Sequence, residues 1–298
     1  MTLIAVTLLA ATTFAETPSL SRQIQMDRAG FSCNTIDGVW GGKSERAARK
    51  FLDTGHFFDS DISATNLLSY VTVTQEDLDA LVRIPNDPAA KAELTTMGYE
   101  TIKEMFAERG HLSQRALERL NPNLNWNGIQ AGTRIRMPIF PTMDEEFNVW
   151  PKGRPGATKR PEADQIRISL SRFEIAVFDK AGKQLALFPC SIAKNKTKLP
   201  PHGELRITET VARPNYTYTP DQTPAGKRVK RYIFPPGPNC PVGVAWLGLN
   251  LPGYGIHGTP RPESIGNAES HGCFRLSNWN AARLYGLCPS GTRVIVED

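Results

Sequence analysis

One cysteine, two histidines and one arginine lie in a short, glycine-rich stretch of this 298-residue chain, and together they could catalyse acyl transfer. They are His257, His271, Cys273 and Arg275. A thiol attacks a carbonyl carbon as the thiolate, and a free cysteine with a pKa of about 8.5 is little ionised at neutral pH. A neighbouring imidazole that accepts the proton, and backbone N–H groups that face the reacting carbonyl, would supply the activation. The stretch therefore predicts a cysteine–histidine active site.

We expect a protonated histidine to lower the pKa of the Cys273 thiol. A shift of about two units corresponds to roughly 2.7 kcal/mol, which one imidazolium and a few amides can provide. The alternative is a buried, inert cysteine beside a structural histidine, which is the commoner case for such residues taken singly. Neighbouring glycines and the loop-like composition between Arg261 and Glu269 favour the catalytic interpretation. Gly272, which has no Cβ, would let the backbone approach a substrate closely.

The order of these residues resembles the signature of the L,D-transpeptidases of bacterial cell walls. That signature is a histidine followed further along the chain by Ser/Thr-His-Gly-Cys-x-Arg-x-x-Asn. The residues that fall on it are His257, Ser270, His271, Gly272, Cys273, Arg275 and Asn278. Two proline-rich segments, 213–220 and 236–243, resemble the lead-in segments of the family, and the resemblance covers residues 163–298. It implies a β-sandwich domain that acts on the peptide stems of peptidoglycan.

The resemblance also implies a role for each catalytic residue. Cys273 attacks the carbonyl that joins meso-diaminopimelate to D-alanine, releases D-alanine and forms a thioester. His257 takes the thiol proton and later deprotonates the acceptor amine, while the backbone carbonyl of Gly258 orients its ring. The N–H groups of Gly272 and Cys273 form the oxyanion hole. A histidine base needs a partner that fixes its tautomer, and an oxyanion needs donors that are already in place.

Further residues are expected to bind substrate or to shape its site, namely Tyr254, Ser270, His271, Arg275 and Asn278. Arg275 forms either a bidentate pair with a substrate carboxylate or a structural salt bridge. His271 either braces the loop or contacts substrate, and Tyr254 is either a pocket wall or part of the core. Ser270 and Asn278 are expected to hold the loop through hydrogen bonds.

The sequence predicts neither a metal site nor a cofactor site. Paired Cys-x-x-Cys ligands are missing, and His257, His271 and Cys273 form a poorly spaced set without a supporting carboxylate. Phosphate-binding and dinucleotide-binding glycine motifs are missing as well. The partners that the resemblance implies are peptidoglycan stem peptides and glycan, with an outer-membrane lipoprotein or another wall-attached protein as a further acceptor.

Three functions remain open at this point. The first is a transpeptidase that forms 3→3 cross-links or attaches a wall protein. The second is a hydrolase of the same chemistry, an L,D-carboxypeptidase or endopeptidase, in which water resolves the thioester. The third is a non-catalytic protein that docks on peptidoglycan, which is disfavoured because a binding module needs no thiol beside a base.

The residues that must position this site are predicted to form a β-rich domain, residues 163–298. Alternating apolar residues predict strands over 166–170, 173–178, 183–188, 204–211, 242–249 and 292–297. Residues 280–287 are predicted to form a helix. Two packed sheets with one helix would bury the apolar faces, which is the β-sandwich that the resemblance implies.

Small helical and α+β modules are predicted before this domain, so the chain is multidomain. Residues 20–58 resemble the small helical peptidoglycan-binding domain, although a generic helical hairpin fits the same pattern. Ser44 is expected to cap a helix whose inner face carries Ala47, Ala48 and Phe51.

A connector and a second module follow. Residues 59–95 are predicted to connect, with Asp87 as the cap and Pro88 as the first residue of a short helix. Residues 97–139 resemble a LysM sugar-binding module, with helices over 99–109 and 113–120 and a strand over 132–138. The proline- and glycine-containing residues 140–162 are predicted to be a linker.

The start of the chain and its charge bear on location and partners. Residues 1–15 resemble a secretory signal peptide that ends at Thr13-Phe-Ala15, which predicts export, to a periplasm. This apolar run is shorter than the about 20 residues that a membrane-spanning helix needs, so no transmembrane segment is expected. A net charge of +5 without a basic run or a nucleic-acid module favours an anionic wall polymer over nucleic acid.

The odd number of cysteines limits how they can form disulfides. Those that remain after removal of such a leader are Cys33, Cys190, Cys240, Cys273 and Cys288. An odd number in an exported protein leaves at least one thiol unpaired within the chain. A nucleophilic Cys273 must be free, and Cys190 and Cys288 are candidates for a disulfide.

Overall fold

The computed structural model describes residue 14 and residues 17–148, 162–220, 230–270 and 272–298. His271, residues 149–161 of the predicted linker, and the predicted leader apart from Phe14 lie outside this part of the chain. Among the described residues, no helix is both long enough and apolar enough to cross a membrane.

The N-terminal half consists of short helices and a two-stranded ribbon. Its elements are α1 (Pro18–Arg28), α2 (Gly42–Asp53), α3 (Ala64–Leu67), β1 (Leu68–Thr72), α4 (Gln75–Asp79), α5 (Pro88–Ala92), α6 (Ile102–Arg109), α7 (Gln114–Leu120), β2 (Arg134–Pro138) and α8 (Met143–Asn148). β1 and β2 pair antiparallel, with Leu68 opposite Pro138 and Thr72 opposite Arg134. Because β1 lies within the predicted connector, the ribbon joins that segment to the LysM-like stretch.

Side-chain caps set the starts of several of these helices. The Asp87 carboxylate accepts a hydrogen bond from the N–H of Ala90 over 2.9 Å, and Pro88 takes the first helical position. The predicted start of α5 is therefore confirmed. Two further predicted helices are present as α6 and α7, whose caps are Thr101 and Ser113.

The predicted cap at Ser44 is wrong. α2 begins earlier, at Gly42, and the Ser44 hydroxyl inside the helix accepts a hydrogen bond from Nε2 of Gln23 over 3.1 Å. This hydroxyl oxygen accepts its hydrogen bond from a side chain of α1, and α2 begins without a side-chain cap. The residues on the buried face of α2 include, as predicted, Ala47, Ala48 and Phe51.

One apolar core joins the two predicted N-terminal modules. Leu20 and Ile24 on α1 share a cluster with Phe106 on α6 and Ile135 on β2. All four side chains are fully buried. Each such burial contributes about 1.5–3 kcal/mol, so the two segments are held together by packing.

The C-terminal half is built mainly of strands. Its elements are β3 (Gln165–Ser169), β4 (Glu174–Phe178), β5 (Gln184–Pro189), β6 (Ile192–Ala193), β7 (Gly203–Ala212), β8 (Tyr216–Tyr218), β9 (Tyr232–Phe234), β10 (Ala245–Leu249), β11 (Gly255–His257), β12 (Ala268–Ser270), β13 (Phe274–Arg275), α9 (Asn278–Leu287) and β14 (Arg293–Glu297). The strands predicted from alternation are all present, as β3, β4, β5, β7, β10 and β14, and the predicted helix is present as α9.

The two separate sheets predicted for a β-sandwich are not formed. Within the described residues, eight strands make one curled sheet in the order β13-β11-β10-β7-β14-β3-β4-β5. The long strand β7 links its two halves, because residues 203–206 pair with β14 and residues 207–212 pair with β10. The pairing shifts register between Gly248 and Leu249, where a bulge bends the sheet. A continuous sheet packed on α9 therefore replaces two stacked sheets.

The candidate disulfide between Cys190 and Cys288 is not formed, because all five cysteines are free thiols. Both residues are fully buried in the core of the sheet, where a thiol packs as a small apolar group. Burial raises the pKa of both thiols far above the ordinary range. That disfavours the thiolate through which disulfides form.

A buried polar junction ties the N-terminal half to α9. Oδ1 of Asp27 on α1 lies 2.8 Å from Nδ1 of His111, and Nη1 of Arg283 on α9 donates to the Asp27 carbonyl oxygen over 2.8 Å. Nε of Arg283 also donates to Glu146 on α8 over 3.4 Å. None of the four residues is more than 7% exposed. Charges buried this deeply persist only when they are paired and hydrogen-bonded, so the junction fixes how the two halves meet.

Candidate active site

Cys273 directly precedes β13, and its side chain is half-buried. Its thiol donates a hydrogen bond to the carbonyl oxygen of Gly253 over 3.5 Å. Burial raises the pKa of this thiol, and the N–H of Gly255 and the charge of Arg275 lower it only in part. The thiol is therefore protonated at neutral pH, and its proton must be removed during attack.

His257 is the last residue of β11 and is 5% exposed. Its Nδ1 lies 2.7 Å from the carbonyl oxygen of Gly258, so the contact expected between these residues is present. A carbonyl oxygen can only accept, so Nδ1 carries the proton and Nε2 keeps its lone pair. Burial lowers the pKa of His257 to about 4, the Gly258 carbonyl opposes this shift, and the charge of Arg275 adds to it. The imidazole is therefore neutral at pH 7.

The expected imidazolium, which would lower the pKa of the thiol, is not the resting state. Burial penalises the charged form of both groups, so the pKa of Cys273 rises and that of His257 falls. Both side chains are neutral before substrate arrives. They can still work as a thiol and a general base, because Nε2 of His257 is the lone-pair nitrogen.

Parallel pairing of β11 and β13 places His257 on the strand next to the one that Cys273 precedes. Ile256 lies opposite Phe274, and His257 lies opposite Arg275. Register partners point to the same face of a sheet, so His257 and Arg275 share a face. The charge of Arg275 lowers the pKa of both His257 and Cys273, which indicates that each of the two groups lies within electrostatic reach of Arg275.

Ser270 organises the loop that carries the thiol. Its hydroxyl donates to the Cys273 carbonyl oxygen over 2.6 Å and accepts from the N–H of Gly272 over 3.2 Å. Ser270 is only 4% exposed and holds the loop as expected, and its contact with substrate stays a prediction. Gly272 has a φ of +157°, which residues with a Cβ rarely adopt.

The two N–H groups predicted for the oxyanion hole differ in whether they already donate a hydrogen bond. The N–H of Gly272 is engaged by Ser270. Among the described residues, the N–H of Cys273 has no hydrogen-bond acceptor. The Cys273 N–H is therefore the donor that is ready for an oxyanion.

Asn278 holds neighbouring segments through hydrogen bonds, and its expected contact with substrate stays a prediction. It is the first residue of α9 and is fully buried. Its Nδ2 donates to the Pro238 carbonyl oxygen over 3.0 Å and to the two carboxylate oxygens of Glu108 over 3.1 and 3.2 Å. Its Oδ1 accepts from the N–H of Val244 over 3.2 Å. Asn278 thus anchors α9 to α6 and to the proline-rich lead-in.

Glu108 on α6 is a buried residue whose carboxylate accepts the hydrogen bonds from Asn278. It is 6% exposed and accepts a hydrogen bond from the Tyr99 hydroxyl over 2.9 Å. Burial raises its pKa to about 8, although the hydrogen bonds from Tyr99 and Asn278 oppose the shift. This carboxyl therefore changes its charge near neutral pH at the base of α9.

Tyr254 lies beside the loop that carries Cys273, and the two alternatives predicted for it are a wall of the pocket and a part of the core. Its hydroxyl donates to the Lys198 carbonyl oxygen over 3.0 Å, and its half-buried ring packs against the core of the sheet. A Cβ added at Gly272 would lie 3.6 Å from that ring. The ring is thus both a wall of the site and a part of the core. His271 lies outside the described residues, so its role stays a prediction.

Trp246 is a site residue that the sequence pattern did not single out. It lies opposite His257 in the pairing of β10 and β11, and the two rings stack with centroids 5.7 Å apart. Its Nε1 donates to Glu209 over 3.1 Å. A Cβ on Gly255 would come within 2.6 Å of the indole, so glycine there makes room for the ring. Alternation placed Trp246 on a strand, but only strand pairing puts it against the histidine.

The loop between the two catalytic residues is held from the N-terminal half. Nδ2 of Asn34 donates to the Pro262 carbonyl oxygen over 2.7 Å. Nζ of Lys43 on α2 donates to the Ile265 carbonyl oxygen. The N-terminal half therefore positions the loop that connects His257 to Cys273.

Known proteins match the part of the chain that contains this site. Residues 163–296 match the family model YkuD, the L,D-transpeptidase catalytic domain. The chain is similar to the protein named L,D-transpeptidase YqjB of Bacillus subtilis, with 36% identity over 114 residues, 36% of this chain and 58% of that protein. It is also similar to the protein named L,D-transpeptidase YkuD of Bacillus licheniformis, with 28% identity over 199 residues, 66% of this chain and 93% of that protein.

A solved structure, an L,D-transpeptidase from Mycobacterium smegmatis, overlaps 46% of this chain and 59% of its own, with 20% identity and a TM-score of 0.36. An overlap this low supports no argument about function. The family match is a match of sequence, and the matched residues include the whole stretch from His257 to Asn278. Residues 163–296 therefore match the L,D-transpeptidase catalytic domain of the YkuD family.

Proposed function

We propose that the chain is a cysteine-dependent L,D-transpeptidase that acts on tetrapeptide stems of peptidoglycan through a thioester. The observation that carries this proposal is the hydrogen bond from Nδ1 of His257 to the Gly258 carbonyl oxygen. It leaves Nε2 as a base on the strand next to the one that Cys273 precedes. The family match over residues 163–296 supports the class of substrate.

In the first half-reaction, Sγ of Cys273 attacks the carbonyl carbon that joins diaminopimelate to D-alanine. The S–H proton passes to Nε2 of His257, and the carbonyl oxygen becomes an oxyanion that accepts a hydrogen bond from the Cys273 N–H. The C–N bond then breaks, and the imidazolium gives the proton to the leaving amine of D-alanine. A thioester remains on Cys273.

The two pKa values decide the timing of this proton transfer. The pKa of the Cys273 thiol is raised and that of His257 is about 4, so transfer in the resting enzyme is uphill. It becomes favourable once the negative charge moves from sulfur to the oxyanion and the imidazolium lies beside that charge. Deprotonation therefore accompanies C–S bond formation and does not precede it.

In the second half-reaction, an acceptor amine attacks the thioester carbonyl. Nε2 of His257 takes a proton from the amine, the C–S bond breaks, and the imidazolium reprotonates the departing thiolate. A diaminopimelate amine of another stem as the acceptor gives a 3→3 cross-link. The amine of an outer-membrane lipoprotein or of another wall-attached protein gives attachment of that protein.

The other residues receive supporting roles. Arg275, which shares a sheet face with His257, is proposed to pair with a stem carboxylate. The leader-like residues 1–15 support export to a periplasm. Glycan binding by the segments 20–58 and 97–139 stays a prediction, and their common core with contacts to the catalytic loop supports a role as a scaffold.

The test is product analysis by mass spectrometry. The purified protein is incubated with muropeptides that carry tetrapeptide stems, beside the Cys273→Ala variant. Dimers joined through two diaminopimelate residues, absent with the variant, are the expected result. Tripeptides without dimers would assign the chain to the hydrolases. Unchanged substrate with both proteins would contradict the proposal and favour a non-catalytic wall-binding protein.

A further inference from the structure

A cleft of about 380 Å³ lies between the segment 84–100 and the catalytic domain, and we name it the connector cleft. The segment 84–100 precedes the matched family domain and forms one wall. The other wall is formed by catalytic-domain residues that include Thr259, Arg261 and Arg275. A part of the chain outside residues 163–296 therefore lines a space that opens beside the active site.

The connector wall is fixed by hydrogen bonds to the proline-rich lead-in. The N–H of Met97 donates to the Pro236 carbonyl oxygen over 2.9 Å, and the Met97 carbonyl oxygen accepts from the N–H of Asn239 over 2.9 Å. Nδ2 of Asn239 also donates to the Gly98 carbonyl oxygen over 2.9 Å. Met97 itself is 2% exposed. A wall held on both sides in this way can keep its side chains in fixed positions.

Positive charge predominates in the connector cleft. Its charged residues are Lys91, Arg261, Arg275 and Glu100. The carboxylate of Glu100 accepts a hydrogen bond over 3.1 Å from a backbone N–H of its own segment, and Nζ of Lys91 lies 5.8 Å from the centre of the Phe234 ring. Within the part of the chain that the structure describes, neither Lys91 nor Arg261 forms an ion pair. A concave site with such an excess of cations attracts carboxylates.

Two residues that line the cleft lie two positions along the chain from His257 and Cys273. Arg275 lines it, lies opposite His257 in the pairing of β11 and β13, and follows Cys273 by two residues. Thr259 lines it and follows His257 by two residues. A peptide whose carbonyl carbon lies at Sγ of Cys273 can therefore reach the cleft with its neighbouring residues.

We propose that the connector cleft binds a carboxylate of the peptidoglycan stem peptide, with Lys91 and Arg261 as its ligands. The identity of the peptide rests on the proposed function. The carboxylate comes either from the D-alanine end of the donor stem or from a position that donor and acceptor stems share. Both sources offer the same bidentate oxygens to an ammonium or a guanidinium group.

The test measures binding without turnover. The Cys273→Ala protein, which cannot form a thioester, is titrated by calorimetry with a synthetic tetrapeptide stem that ends in diaminopimelate and D-alanine. A tripeptide stem that lacks D-alanine, and both peptides with their carboxyl groups amidated, are titrated in parallel. Lys91→Gln and Arg261→Gln are added singly to this background. Arg83→Gln is the matched control, because Arg83 is an exposed cation next to the same segment that does not line the cleft.

The expected result is a loss of about tenfold in affinity for each cleft variant, equivalent to about 1.4 kcal/mol. The loss concerns the free-acid peptides only, and Arg83→Gln binds like the parent. A loss with the tetrapeptide alone assigns the cleft to the D-alanine carboxylate of the donor. A loss with the tripeptide as well assigns it to a carboxylate that acceptor stems also carry.

Two results would overturn the inference. One is affinity within twofold of the parent for both cleft variants, and the other is an equal loss with the amidated peptides. Retained melting temperature of each variant excludes unfolding as the cause. A wild-type protein that forms no thioester would refute the proposed function, and the titrations of Cys273→Ala would still decide whether the cleft binds the peptide.

Discussion

Nδ1 of His257 donates a hydrogen bond to the carbonyl oxygen of Gly258, the next residue in the chain, over 2.7 Å. This bond determines the tautomer, because the proton must be on Nδ1 and the lone pair on Nε2. The stacked indole of Trp246 and the burial of the ring keep the imidazole in place and neutral. The proposed catalysis requires this neutral, oriented imidazole and the neutral thiol of Cys273.

Removal of the base should slow acylation without unfolding the protein. In His257→Gln, no group accepts the thiol proton during attack, so the rate of thioester formation should fall by about 10²–10⁴-fold. The rate is measured by quenched mass spectrometry with a tetrapeptide stem, and near-ultraviolet circular dichroism checks the fold. Acylation at the wild-type rate would exclude His257 as the base.

The pH dependence of acylation should distinguish a neutral pair from an imidazolium–thiolate pair. Nε2 of His257 accepts a proton only above its pKa of about 4, so the rate should rise through that pH and stay level to about pH 7.5. Ionisation of the thiol, whose pKa is raised by burial, should increase the rate only at higher pH. A bell-shaped profile that falls between pH 6 and 8 would instead indicate a catalytic imidazolium.

The buried carboxyl of Glu108 should make stability depend on pH. Its pKa is about 8 in the folded protein and 4.5 in the unfolded chain. The contribution of this carboxyl to the free energy of unfolding is therefore complete below pH 4.5 and is lost as the pH rises to about 8. The shift corresponds to about 5 kcal/mol. Glu108→Gln keeps an acceptor for Asn278 and removes the ionisation, so it should raise the melting temperature at pH 8.5 more than at pH 5.

The matched control for Glu108 is Glu93→Gln, because Glu93 is exposed. Its melting temperature should follow the wild type at every pH. Calorimetric scans from pH 5 to 8.5 provide the measurement. A wild-type stability that rises over this range, with no difference from Glu108→Gln, would contradict the assignment.

The contact between Lys43 and the catalytic loop should affect the rate more than the fold. Lys43→Met removes the donor to the Ile265 carbonyl, which should speed amide hydrogen exchange over residues 262–269. Acylation should slow about fivefold, as expected for the loss of about 1 kcal/mol. Lys50→Met is the control on the same helix, because Lys50 is exposed and pairs only locally with Asp53. Equal exchange and equal rates in both variants would refute the positioning role.

Local features of this fold could be predicted from the sequence. The cap at Asp87, the buried face around Phe51 and the alternating strands of the catalytic domain each depend on residues a few positions apart. The candidate pair of Cys273 and His257 follows from the order of the two residues along the chain, which matches a family signature. The cap at Ser44 failed because a residue of another helix, Gln23, bonds the hydroxyl.

What could not be predicted depends on contacts between distant segments. β7 continues from one half of the sheet to the other, which alternation within single strands cannot reveal. Asn278 belongs to the signature, yet Glu108 from the N-terminal half buries it and makes it an anchor. The neutral state of His257 likewise depends on burial, and the sequence contains no measure of that burial.

The proposed mechanism requires that Cys273 carries the acyl group, and intact-protein mass spectrometry tests this requirement directly. The protein is quenched in acid during reaction with a tetrapeptide stem, and the modified peptide is mapped. The expected result is a thioester on Cys273 that forms with release of D-alanine and is absent from Cys273→Ala, which should show no turnover. Release of D-alanine by Cys273→Ala, or an acyl group on another residue, would contradict it.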